Sequence, residues 1–68
     1  NHYVLNLNMQ LNGDYEVHVK GCFYEPTTNF ESLGYYTSCS GAVSEAKRRY
    51  PFKKINGCKH CSNPCHTS

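Results

Sequence analysis

Cys58-Lys59-His60-Cys61-Ser62-Asn63-Pro64-Cys65-His66 gathers thiols and imidazoles into one short stretch, and His18-Val19-Lys20-Gly21-Cys22 supplies another of each. Thiolates and imidazoles bind soft metal ions, and thiols also pair into disulfides. Cys58-x2-Cys61 has the spacing at which one turn offers two thiolates to a tetrahedral ion, with a second pair needed from elsewhere in the fold. His18-x3-Cys22 is suited to be that pair, because in an extended segment both side chains point to the same side. They would then lie opposite the apolar stripe Tyr15, Val17 and Val19. A metal held there sits outside the helix-covered core unless Gly21 turns the chain. Cys65 or His66 is the alternative to His18 as fourth ligand.

A disulfide framework is the competing use of the same residues, since small extracellular chains with clustered cysteines form bridges. Cys39 with Cys65 is the candidate pair, and closing a loop of this length is worth roughly 3–3.5 kcal/mol in the chain-entropy treatment. Five cysteines cannot all pair with one another. One metal site plus one disulfide uses every cysteine without remainder.

Catalysis is less favoured. A tetrahedral ion with four protein ligands has no open position for water. A reactive thiol with Cys65–His66 or Cys61–His60 would need adjacent residues to meet productively, and no carboxylate lies nearby to orient the imidazole. His2 is expected to be an ordinary exposed residue at a mobile terminus.

The elements that must position these residues are few, because 68 residues make one domain, here residues 1–68. A core this small is marginal, so a disulfide, a metal or a partner chain is expected to supplement it. The odd positions Tyr3, Leu5, Leu7, Met9 and Leu11 alternate with polar residues, which predicts a strand buried on one face. Asn12-Gly13-Asp14 is turn chemistry, and Tyr15, Val17 and Val19 alternate beyond it, giving an antiparallel hairpin that ends at Gly21. Glu25 to Asn29 reads as a polar loop. Phe30 to Thr37 makes a short third strand, weakened by Gly34. Ser38-Cys39-Ser40 offers N-cap residues for a helix running to about Tyr50, where Pro51 stops it. Ala42, Val43, Ala46 and Tyr50 share one face of that helix. Asn56-Gly57 is expected to turn into the cysteine-rich end, and Thr67-Ser68 to fray. The expected fold is therefore α+β, a small antiparallel sheet with one helix packed on it and a Cys-rich C-terminal knuckle.

Charge is unevenly spread within a formal net +2: of seven Lys and Arg, only Lys20 falls in residues 1–34. Lys47-Arg48-Arg49-Tyr50-Pro51-Phe52-Lys53-Lys54 concentrates cations at the end of the helix. They suit the macrodipole and solubility. They also offer a phosphate-binding patch in which Tyr50 or Phe52 stacks on a base. No apolar run approaches the roughly 18 residues of a membrane span. No signal peptide is recognisable, and a start at Asn1 is compatible with an upstream segment having been removed.

The order of these motifs resembles a known family. His18-Val-Lys-Gly-Cys22, then Gly34-Tyr35-Tyr36, then Ala42-Val-Ser-Glu-Ala46-Lys, then Gly57-Cys58-Lys-His-Cys61 is similar to the zinc module at the N-terminus of the Ada DNA-alkylation repair protein and to small bacterial modules of that kind. The resemblance covers roughly two thirds of the chain and implies zinc held by His18, Cys22, Cys58 and Cys61. In this resemblance His18 stands where Ada has the cysteine that accepts the methyl group, so the repair activity does not carry over. Cys39, Cys65 and His66 have no counterpart in the module. The ending Cys58-x2-Cys61-x3-Cys65-His66 also resembles small uncharacterised bacterial proteins. The expected function is a zinc-stabilised binding module, with nucleic acid or another protein as partner. A secreted, disulfide-stapled interaction domain is the alternative, and an enzyme with a reactive Cys comes third. Location follows the chemistry: cytoplasmic if reduced and metal-bound, secreted if stapled.

Overall fold

The structure, a computed structural model, describes residues 1–66. The expected fraying of Thr67-Ser68 lies outside the described residues. Strands β1 (His2–Asn6), β2 (Asp14–Val19) and β3 (Phe30–Tyr35) precede helix α1 (Cys39–Arg49), which is followed by β4 (Lys54–Gly57). A 3-10 turn covers Asn63–Cys65. The fold is α+β, and the four strands form one sheet in the order β3-β1-β2-β4.

β1 and β2 make the expected hairpin, with Tyr3 opposite Val19 and Leu5 opposite Val17. The alternation was expected to continue to Leu11, but β1 ends at Asn6. Gln10 and Gly13 close the turn through a 2.9 Å backbone bond. Met9 and Leu11 are exposed in that connection, because β2 begins only at Asp14 and offers no partner strand beyond it. β3 pairs antiparallel with β1, and its register shifts between Tyr3 and Val4, with Gly34 opposite Tyr3. Gly34 thus marks an irregularity within the strand and does not end it.

The fourth strand corrects the expectation of a purely antiparallel sheet. Asn56 and Gly57 do not turn the chain; they extend β4, which runs parallel to β2 with Tyr15 opposite Ile55 and Asn56 opposite Glu16. β3 and β4 occupy opposite edges, so α1 is the crossover that carries the chain from one edge to the other. It packs on all four strands. Ala42 and Ala46 are wholly buried against Tyr3, Leu5, Val17 and Leu33, and Val43, Tyr50 and Ile55 pack around them. Small side chains on the helix let it approach the sheet closely. Ser38 takes the N-cap position without a side-chain capping bond, and the helix ends before Pro51 with Tyr50 as C-cap.

His2 is part of β1, its Nε2 2.6 Å from Ser32 Oγ and its ring stacked on Tyr35 at 4.6 Å. It is therefore held in the sheet, contrary to the mobile terminus expected of it.

Candidate metal centre

His18 follows Val17 on β2, so its side chain leaves the sheet on the face away from α1. Its cross-strand partner Val4 lies on that face too, and both are buried. The second face of the central hairpin is thus covered as well. Single-face alternation in the sequence did not anticipate it.

Two loops provide the cover. Beyond β2, Gly21 adopts φ +96°, the left-handed region that glycine tolerates. Cys22 N–H donates to Val19 O at 2.9 Å, and this turn brings Cys22 back over the face that His18 occupies. From the other edge, Cys58 N–H donates to Val17 O at 2.9 Å, carrying the ladder one residue past β4. Ser62 N–H then donates to Cys58 O at 2.8 Å, closing the turn that holds Cys58 and Cys61. Tyr24 stacks on His60 at 4.2 Å, joining one loop to the other.

The structure brings His18, Cys22, Cys58 and Cys61 together, with one donor atom of each within 4.8 Å of all the others. These four residues could hold a metal ion. Sulfur atoms around a tetrahedral zinc lie about 3.8 Å apart, so the gathering is close to a binding geometry before any ion arrives. Nδ1 of His18 is 3.8 Å from Cys61 Sγ. Backbone N–H groups point at two of the sulfurs: Val19 at Cys61 Sγ, 3.4 Å, and Tyr24 at Cys22 Sγ, 3.5 Å. The Val19 donor favours the thiolate form of Cys61, the form that ligates metals.

The electrostatics fit the same use. Burial lowers the His18 pKa, opposed by the charge of Glu25, which keeps the ring in the neutral form that a ligand requires. Burial pushes the Cys61 thiol up to about 12, with hydrogen bonds that its S–H donates to Cys22 and Cys58 adding to it and the Val19 N–H opposing it. The Cys61 thiol therefore resists deprotonation without a cation, so a metal that binds it must displace its proton.

Cys39 and Cys65 are joined in a disulfide across a sequence separation of 26 residues. It ties the start of α1 to the 3-10 turn, leaving Cys22, Cys58 and Cys61 as the free cysteines. Cys65 is therefore not a ligand. His66 is turned elsewhere, with Nδ1 3.0 Å from Gly57 O. The parity of His18 was correct as to place: the centre lies outside the helix-covered core. It does not exclude His18, because loops from both sides meet it there.

Much of the cationic segment is engaged within the chain. Arg48 and Arg49 both bind Glu45, at 2.6 and 2.7 Å, and Arg49 also reaches Glu31 at 2.6 Å. The Arg48 and Arg49 hydrogen bonds hold the Glu45 carboxyl down at about 2. Tyr50 donates its hydroxyl to Glu31 and is packed on the core, so its ring is not free to stack on a base. Lys53 lies over the Tyr15 ring at 4.2 Å. Lys47 and Lys54 are exposed and have no ion pair among the described residues, and Phe52 is 99% exposed.

Sequence reasoning did not single out Glu16 or Tyr24. The one trace of Glu16 in the sequence is its spacing of two from His18, which puts both on one face of a strand but does not by itself mark a partner. Nothing in the sequence announced the Tyr24–His60 stack.

No protein-family model, curated protein or solved structure matches this chain. The likeness to the Ada module rests on the residues alone.

Proposed function

We propose that this protein is a small zinc-stabilised binding module of the Ada-like kind. The observation that carries the reading is the gathering of one imidazole and three thiols, contributed by β2, its following loop and the turn after β4, within 4.8 Å. Three sulfurs and a nitrogen in a closed set of four suit zinc in a structural role. Bound zinc would supply folding free energy on the order of 10 kcal/mol and would fix the loops that carry Tyr24 and His60. Four protein ligands leave no position for a substrate, which favours binding over catalysis.

Thiol reactivity of the native protein tests this reading. Cys22, Cys58 and Cys61 are expected to resist alkylation until a chelator is added and then to react together. Equal reactivity with and without chelator contradicts it.

Nucleic acid is the first partner to try, with Lys47, Lys54 and Phe52 as the contacts left open by the ion pairs of Arg48 and Arg49. Two phosphate contacts give a slope of log affinity against log salt of about −1.8. Binding that ignores salt, or none at all, removes this partner while leaving the zinc module intact.

The Cys39–Cys65 bridge favours a second reading, an extracellular protein-interaction domain. Metal and disulfide use different cysteines, so the two readings differ in compartment and partner and share the same fold.

A further inference from the structure

We propose that Glu16 is a positioning residue for the metal centre, accepting a hydrogen bond from Nε2 of His18 so that Nδ1 is the atom presented to the ion. This inference rests on the metal-binding reading above. His18 is 1% exposed, and its Nε2 has no hydrogen-bond partner among the described residues. A buried polar nitrogen without a partner is uncommon and calls for one. Glu16 Oε1 stands 3.4 Å from it, an ion-pair distance that falls short of hydrogen-bond alignment. The opposite nitrogen, Nδ1, is the one beside Cys61 Sγ. One side of the ring thus faces thiols and the other faces a carboxylate.

The strand makes this arrangement. Residues two apart on β2 project from the same face, so Glu16 and His18 stand side by side without any turn between them. Gln10 also donates a side-chain hydrogen bond to the Glu16 carboxylate, which ties it to the β1–β2 connection. Beside these groups a cleft of about 380 Å³ opens, lined by Gln10, Glu16, His18 and Cys58 among others. It gives the Glu16 side chain room to close the remaining gap to Nε2.

Ligating histidines commonly donate their second N–H to a carboxylate, which fixes the tautomer and ring orientation and makes the ligating nitrogen more basic. Removing such a partner costs about 10- to 100-fold in metal affinity. Glu16→Ala is therefore expected to weaken zinc binding by that factor, measured by competition with a chromophoric chelator, and to shift the d–d bands of the cobalt-loaded protein. Glu16→Gln keeps an oxygen acceptor and is expected to restore most of the affinity.

Nitrogen NMR of zinc-loaded wild type gives an independent readout. Nε2 is expected to carry a slowly exchanging proton and Nδ1 to be metal-bound. The reverse assignment overturns the proposal even if the alanine variant does not fold. Unchanged affinity and cobalt spectrum in Glu16→Ala also overturn it, provided that wild type binds zinc. A wild type that binds no metal overturns instead the function on which the inference rests.

Discussion

His18 decides what the site can be. It is the sole imidazole in the set, it is buried, and burial depresses its pKa below the ordinary 6.5. An unfolded chain takes up a proton on this residue as pH falls through about 6.5, while the folded chain takes it up only at lower pH. The stability due to His18 is thus full above that pH and lost progressively below it. Urea midpoints of the metal-free protein are expected to fall between about pH 7.5 and pH 5. In His18→Gln, which cannot titrate there, that fall is expected to be smaller. Equal pH dependence in the two proteins contradicts the assignment. The four residues that the structure gathers were legible in the sequence, because Cys-x2-Cys and His-x3-Cys are spacings at which paired donors can reach one ion. Glu16 was not, because a lone carboxylate on a strand looks like solvent-facing polarity until the loop that covers it is known.

Two elements meet the cysteine-rich end, and each gives a prediction. Gly57 closes β4, and a Cβ there would lie 2.7 Å from both Cys65 Cβ and Ser62 O. Gly57→Ala is expected to destabilise the fold by about 1–3 kcal/mol in urea denaturation, the usual cost of overpacking. Replacing Cys39 and Cys65 together by alanine is expected to cost about 3.5 kcal/mol, the loop-closure contribution, while metal affinity changes little. A parallel loss of metal binding would mean that the bridge and the centre form one unit.

At this scale the sequence revealed β1, β2, β3 and α1, with the largest boundary error at β1, which ends at Asn6 and not at Leu11. Strict alternation in Tyr3, Leu5, Val17 and Val19 and the small-residue face of Ala42 and Ala46 are local patterns. β4 was hidden because Asn56-Gly57 has turn chemistry, and its strand conformation comes from pairing with β2 far away in sequence. The second buried face was hidden for the same reason. Val4 and His18 look solvent-facing by period until two distant loops close over them.

The whole molecule is a sheet buried on both sides by different means. α1 covers one face with apolar packing, and the loops bearing Cys22, Cys58 and Cys61 cover the other with little apolar surface. Among the described residues that second face carries no apolar cluster like the one under α1, so a further tie is expected there. If the proposed function holds, metal closes it, with the Cys39–Cys65 bridge tying the same end to the helix. Chelation is expected to loosen the loops around Tyr24 and His60 first and to lower the thermal midpoint, both reversed when zinc is restored. Hydrogen exchange at Cys22 to Glu25 and Cys58 to Ser62 checks this, and uniform exchange with and without metal contradicts it.

The most direct measurement is elemental analysis of the native protein after exhaustive dialysis against metal-free buffer. The account predicts about one zinc ion per chain, whereas a folded, monodisperse protein containing no stoichiometric metal would contradict it.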